Sequence, residues 1–467
     1  RGVRPRSGAD GTDWEDTERF GKMNVVFLTM VRVTDIEARG IYNDLLRKFR
    51  DSGHTLYIVT PRERRMGLPT ELVNGNGNDN LNLNLNLNLN GDGKVGDVYV
   101  LGVKTLNLQK TSTIEKGIGQ VLVEGQYKKA IKRYLPDVKF DLILYSTPPI
   151  TFPKVIAYLK KRNPQAMSYL LLKDIFPQNA VDIGLMPGEG FKFQVSSFRS
   201  WVALAKYQLY KYFRKKEKRL YALSDYIGCM SPANVSYVIR HNSEIDLSRV
   251  EVAPNSIELS HTDITDSTEK DAVRIKYGLP VDKPVFIYGG NLGKPQGIPY
   301  LIECLEANKG RQDCYFVIVG TGTELPRLLE WYNKANTNGT NHTNVRVMKG
   351  LPKEDYDMLV RSCDVGMIFL DHRFTIPNYP SRLLSYLENK MPVICATDPN
   401  TDMGRIAEEN GYGYWCESVK PEDFTALVDK MLAADRKAMG ERGYKFLCEN
   451  YTVENTYNAI MEHFHNI

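Results

Sequence analysis

The segment PVFIYGGNLGKPQG, from Pro284 to Gly297, constrains the fold of this chain more than any other. A continuous apolar run of Val285, Phe286, Ile287 and Tyr288 breaks directly into glycines and then into a helical pattern. β-Branched and aromatic residues without polar alternation predict a strand buried on both faces, as in a parallel sheet. Gly289 and Gly290 lack the side chains that would keep an anion from backbone N–H groups, and the start of the following helix adds a favourable dipole. The segment predicts strand, phosphate-sized loop and helix. The same pattern also arises where a parallel sheet merely packs tightly.

The pattern repeats downstream. Tyr315 to Val319 reads as another apolar strand, ended by Gly320, Thr321 and Gly322 before an amphipathic run through Leu325, Leu328 and Leu329. Val345 to Val347, Asp364 to Leu370 and Pro392 to Ala396 continue the theme with helical patterns between them. Strands alternating with helices predict right-handed crossovers and an α/β fold with parallel sheets, whose ligands bind at the carboxyl ends of the strands.

At 467 residues the chain is too long for one ordinary core and suits two α/β domains. Its formal charge of +5, from 61 basic and 56 acidic residues, is too small over this length to argue for nucleic acid. No apolar run approaches the roughly 18 residues of a membrane span. Seven scattered cysteines, with no C-x-x-C spacing, predict free thiols in a reducing cytoplasm. Without a secretory signal, the glycosylation-type match Asn341-His342-Thr343 is read as meaningless. The seven histidines are dispersed, Asp398 to Asp402 reads as a turn, and no metal site is expected.

Residues 1–22 are polar and aperiodic and are read as a disordered leader, with Met23 as the natural start. A first Rossmann-like domain is placed at 23–262 and a second at 263–445, with a polar hinge from Leu259 to Lys270 and a C-terminal helix at 446–467 that could cross back. The tract 74–93, NGNGNDNLNLNLNLNLNGDG, is read as a surface loop insertion. Arg39 and Gly40, before a helix from Gly40 to Ser52, are taken as the cleft loop of the first domain. The strand Ser168 to Leu172 ends at Lys173-Asp174, where a carboxylate either faces a ligand in the cleft or caps the next turn. Two lysine-rich helices, Gln126 to Tyr134 and Trp201 to Ala222, carry basic faces that are either solvated or lie on anionic lipid. On the second, that face holds Lys206, Lys211, Arg214, Lys215, Lys216, Lys218 and Arg219.

Taken in order, GHTLYIVT, LSDYIGCMS, VEVAPNSIE, YGGNLGKPQG, FVIVGTG, DVGMIFL and IPNYPSRLLSYLENKMPVICATD resemble the family 4 retaining glycosyltransferases, over Met23 to about Tyr451. The resemblance implies the GT-B fold, two Rossmann-like domains with parallel sheets facing across a cleft. It implies transfer of a sugar from a nucleotide-sugar donor, a UDP-sugar, to a lipid-linked or glycan acceptor with retention of configuration, without a cofactor. KDIFPQNAVDIGLM and the PQG after GGNLG are most similar to the branch that builds bacterial capsule, O-antigen and exopolysaccharide. The free thiols and lack of a secretory signal predict a cytoplasmic protein, and the lipid-linked acceptors of that branch, with the two basic helices, offer attachment to the inner face of the cell membrane as the alternative to a freely soluble one.

The resemblance assigns Asp174 and Lys173 to catalysis. It assigns Gly289, Gly290, Asn291, Lys294, Gln296, Gly320, Gly322, Arg373, Ser381, Arg382, Leu383 and Ser385 to the donor. Departures accompany it. The family's two glutamates, eight positions apart, fall on Pro377 and Ser385, and its usual arginine and lysine fall on Asn291 and Gln296. Positive charge for the diphosphate then comes from Lys294, Arg373 or Arg382, with backbone amides at Gly290 and at the helix start from Pro380 to Leu383. Two other readings stay open: a degenerate, non-catalytic sugar-nucleotide binder or scaffold, and a nucleotide-sugar 2-epimerase on the same fold.

Overall fold

The computed structural model describes residues 21–33, 35–74, 95–108, 113–192, 198–260, 267–336 and 344–464. The predicted leader up to residue 20, the asparagine–leucine tract beyond Asn74 and the Asn341-His342-Thr343 match lie outside the described residues. The chain forms two compact units, the first comprising Arg1–Leu172, Lys215–Gly228 and Val453–Ile467, the second Lys173–Arg214 and Cys229–Thr452. The second unit therefore takes in Lys173, Asp174 and the stretch from Cys229, which the sequence reading assigned to the first domain.

The first unit is built on β1 (Asn24–Leu28), β2 (Thr55–Glu63), β3 (Glu71–Asn74), β4 (Val98–Thr105), β5 (Leu142–Ser146), β6 (Met167–Leu172) and β7 (Tyr226–Cys229), in spatial order β3-β4-β2-β1-β5-β6-β7. β1 runs parallel to both neighbours, Val26 opposite Tyr57 of β2 and Ile143 of β5. Its Val25, Val26, Phe27 and Leu28 are almost wholly buried, as expected of a strand covered on both faces. β3 differs, pairing antiparallel with β4 at the sheet edge. The helix Thr113–Tyr134 is far longer than predicted, because the GQVLVEG stretch ahead of Gln126 is helical despite its glycines.

The helix Phe198–Leu223 likewise extends past its predicted ends, and its basic face is not uniformly solvated. Lys216 reaches the buried Glu124 at 2.6 Å, and Arg214 donates to the His241 carbonyl at 2.9 Å.

The first unit is closed by the helix Val453–Met461. Buried His54 accepts a hydrogen bond on Nδ1 from the Met23 amide at 3.3 Å, which leaves Nε2–H to donate to Tyr457 Oη at 2.9 Å. Phe49 meets the Tyr457 ring edge-on, with centroids 4.9 Å apart. Burial pushes the His54 imidazole down to about 4, so it is neutral where an exposed histidine would titrate.

The second unit contains the short strand β8 (Val250–Val252) and a fully parallel sheet. That sheet comprises β9 (Val285–Asn291), β10 (Tyr315–Thr321), β11 (Val345–Lys349), β12 (Val365–Phe369), β13 (Val393–Thr397) and β14 (Gly413–Glu417). Their order is β11-β10-β9-β12-β13-β14. The chain winds outward from β9 through β10 to β11, then restarts on the other side of β9 with β12. The carboxyl ends of β9 and β12 thus flank a topological switch point, where doubly wound sheets open a crevice. Phe286, Tyr288, Phe316, Phe369 and Phe424 lie in the core on one face of this sheet.

The predicted hinge is helical from Ser267, in the helix Ser267–Lys276. Tertiary anchoring overrides its polar composition: Arg274 and Lys270 reach Asp364 at 2.5 and 2.6 Å, and Arg274 also donates to the Ser362 carbonyl at 2.7 Å.

Candidate functional site

The switch point of the second sheet opens into a cavity of about 750 Å³. Its floor is the end of β9, at Gly289, Gly290 and Asn291; one wall is the segment after β12, at Leu370, Phe374 and Asn378 through Arg382. Opposite stand Lys173, Asp174, Phe176, Asn179, Ala180, Ile183 and Leu185. The last group is tied to the β12 segment by Asp182, at the end of the short helix Gln178–Asp182, which accepts from the Thr375 amide and hydroxyl at 2.8 and 2.9 Å.

Of the residues singled out from sequence, Lys173, Asp174, Gly289, Gly290, Asn291, Gln296, Ser381, Arg382 and Ser385 line the cavity. Lys294, Gly320, Gly322, Arg373, Leu383, Arg39 and Gly40 do not. The reasons are physical. A Cβ on Gly320 would lie 1.9 Å from the Gly290 carbonyl oxygen, and one on Gly322 2.2 Å from that of Leu292, so these glycines let backbones approach. Leu383 is core. Arg373 is clamped by Asp371, which accepts from Nε at 2.8 Å and Nη2 at 2.7 Å. In the first unit, the Gly40 amide donates to Asp44 at 2.9 Å, forming the entry to the helix Ile41–Asp51.

Two of the predicted anion-binding amides, those of Gly289 and Leu383, are engaged within the protein. Gly289 N–H donates to Tyr386 Oη at 3.3 Å, and the amides of Leu383 and Leu384 donate to the carbonyls of Pro380 and Ser381 at 3.3 and 3.1 Å. Gly289 is also a packing glycine, since a Cβ there would meet the Tyr356 hydroxyl at 2.1 Å. Gly290 has φ of 122°, a conformation open to glycine and strained for other residues. Asn291 and Gln296, at the family's cation positions, satisfy each other: Asn291 Nδ2 donates to Gln296 Oε1 at 3.0 Å, and the Gly293 amide adds a second bond at 3.1 Å.

Arg382 has a different setting. Its guanidinium carbon lies 4.2 Å from the centroid of Tyr288, and Nη2 would be 3.4 Å from a Cβ on Gly290. Nη1 is shut off from solvent with no hydrogen-bond partner. No carboxylate pairs with Arg382 among the described residues. A guanidinium stays ionised at any working pH, so a cation with an orphaned N–H borders the cavity. Sequence reasoning singled out Arg382 but not Tyr288 and Tyr356 as its surroundings; an aromatic just ahead of the glycine pair was the available signal for Tyr288.

Across the cavity, Asp174 accepts from Asn179 Nδ2 at 2.6 Å, and burial pushes its carboxyl up to about 6. Lys173 donates to the Ala253 carbonyl at 3.0 Å, and burial pulls its amine down to about 7. Asp174 thus lines the cavity while bonding within its own turn, and both groups change charge near neutrality. Positions 377 and 385 carry no carboxylate; the Pro377 carbonyl accepts from Asn234 Nδ2 at 2.7 Å. Among the described residues no group of three or more His, Cys, Asp or Glu is placed to hold a metal ion, and no helix is long and apolar enough to cross a membrane.

Residues 269–446 match the family described as glycosyl transferases group 1. WbjE of Pseudomonas aeruginosa, named as a probable glycosyltransferase, is 20% identical over 283 residues, 61% of this chain and 64% of that protein. WcaI of Escherichia coli (strain K12), named for glycosyl transfer in colanic acid biosynthesis, is 25% identical over 178 residues, 38% and 41% of the two lengths. The chain thus aligns with less than two thirds of either relative. Among solved structures, sucrose-phosphate synthase from Thermosynechococcus elongatus superposes with a TM-score of 0.65 at 13% identity, covering 95% of this chain and 99% of that one. Anabaena Alr3699/HepE in complex with UDP-glucose gives 0.57 at 13%, covering 95% and 100%. The chain has the GT-B fold, and residues 269–446 are similar to the glycosyl transferases group 1 family.

Proposed function

We propose that the chain is a family 4 glycosyltransferase that moves a sugar from a nucleoside diphosphate sugar, a UDP-sugar, to a lipid-linked or glycan acceptor with retention, in bacterial surface polysaccharide biosynthesis. The observation that carries this reading is Arg382, an unneutralised guanidinium with an orphaned N–H beside the Gly290 turn, at the switch point of a glycosyl transferases group 1 domain. HepE was solved with UDP-glucose, and WcaI is named for colanic acid biosynthesis; both support the donor class and the setting.

In this reaction the bond from the anomeric carbon to the diphosphate breaks, and its electron pair leaves with the nucleoside diphosphate. The acceptor hydroxyl forms its bond on the same face, and its proton passes to the leaving phosphate. The enzyme must stabilise the charge that develops on that phosphate, which a preorganised guanidinium does without a metal ion. Asp174, ionised above about pH 6, is suited to accept hydrogen bonds from sugar hydroxyls across the cavity, with Lys173 beside it. No protein nucleophile takes part.

UDP should raise the melting temperature, since a ligand bound only by the native state stabilises it. No shift at millimolar UDP or UDP-sugars overturns the donor site. The absence of carboxylates at Pro377 and Ser385 favours the non-catalytic alternative, and transfer of radiolabelled sugar to membrane lipid separates the two. Peripheral attachment is proposed through the helix Thr113–Tyr134, where Ile118, Val121 and Leu122 are exposed along with Lys128, Lys129, Lys132 and Arg133. Equal sedimentation with neutral and anionic vesicles, or binding indifferent to salt, overturns it.

A further inference from the structure

We infer that Tyr288 is the positioning residue for Arg382, holding its guanidinium on an aromatic face so that the charge remains available to a diphosphate. The inference rests on the donor-site reading above and goes beyond it, to the residue that makes Arg382 usable. A buried arginine has two common ways to be held. A carboxylate gives geometry but neutralises the charge, as Asp371 does for Arg373. An aromatic face gives attraction through the ring quadrupole and leaves the in-plane N–H groups unbonded.

Arg382 has the second arrangement, 4.2 Å above the Tyr288 ring, with Nη1 unpartnered. Tyr288 is in turn rigid. It is fully buried near the end of β9, and its hydroxyl donates to the Asn291 carbonyl at 2.7 Å. That bond pins the ring within the loop whose Gly290, held at φ of 122°, lies against the guanidinium. Loop, ring and cation are therefore set as one unit, and the ring acts on the ligand only through Arg382.

The test is a double-mutant cycle read by UDP and inorganic pyrophosphate binding. Tyr288→Leu should weaken UDP binding by about tenfold in the wild-type background, and by less than about twofold when Arg382 is already alanine. A merely structural tyrosine would cost the same in both backgrounds, and that result overturns the proposal. If Tyr288→Leu does not fold, Tyr288→Phe and its mono-, di- and trifluorinated phenylalanine counterparts decide the matter at constant shape. Affinity should fall stepwise with fluorination; affinity that ignores the ring's electron density overturns the proposal. Wild-type protein that binds neither UDP nor pyrophosphate removes the donor site and this inference together. UDP binding with an additive cycle removes this inference alone.

Discussion

The loop after β12 and the turn after Pro380 each carry an arginine, nine residues apart in the chain, and the two have opposite fates. Arg373 is gripped by both oxygens of Asp371, and it lies outside the cavity wall. Arg382 rests on Tyr288 with no carboxylate paired to it among the described residues. Both looked like diphosphate ligands in sequence. The difference teaches that a cation near a strand's carboxyl end is only a candidate; what holds it decides whether its charge reaches a ligand. Carboxylate clamps consume the interaction, whereas an aromatic face fixes the position without neutralising the charge.

The comparison breaks most directly at Arg382. Arg382→Ala should weaken UDP binding about 10- to 100-fold by isothermal titration, the scale of one lost charge-assisted contact. Unchanged affinity would make the two arginines equivalent after all. Neither arginine titrates near neutrality, whereas Asp174 on the facing wall does, as does Asp398 after β13, whose carboxyl burial pushes up to about 7. Activity should rise through about pH 6 as Asp174 ionises, and Asp174→Asn should lower turnover by about tenfold and abolish that acid limb. An unaltered limb would place the titrating group elsewhere.

A buried ionisable group without a counter-charge also occurs in the first unit, at His54. Its pKa lies below the unfolded value of 6.5, so its share of stability is complete above that pH and is lost as pH falls toward about 4. The melting temperature should drop a few degrees over that window, and His54→Gln should flatten the dependence. The smallest effect belongs to the clamped arginine. Arg373→Ala should change UDP affinity less than about threefold, and a larger loss would show that the Asp371 clamp opens when ligand binds.

Much of the architecture was legible, because a doubly covered parallel strand is a run such as VFIY or FVIV that few other structures tolerate. The antiparallel β3 was not, since four residues, ELVN, carry too little pattern to show direction. The site was legible in part. Glycine runs do not say why each glycine is needed, so Gly290, required by its φ of 122°, and Gly320, which makes room for a carbonyl, read alike. Arg373 misled because its neutralising partner sits two residues away, and proximity in sequence does not reveal a bidentate grip. Tyr288 escaped notice because one aromatic residue can serve as strand filler and as a platform for a cation.

The contact between His54 and Tyr457 spans 403 residues of chain. During synthesis His54 leaves the ribosome first, and all of the second unit's sheet is made before its partner. The first unit is thus begun early and finished late. At roughly 5–20 residues per second, that gap is on the order of 20 to 80 seconds, during which the surface of Phe49 and His54 waits uncovered for a helix not yet translated. The order of manufacture, not the stability of the finished protein, sets how long that surface stays uncovered.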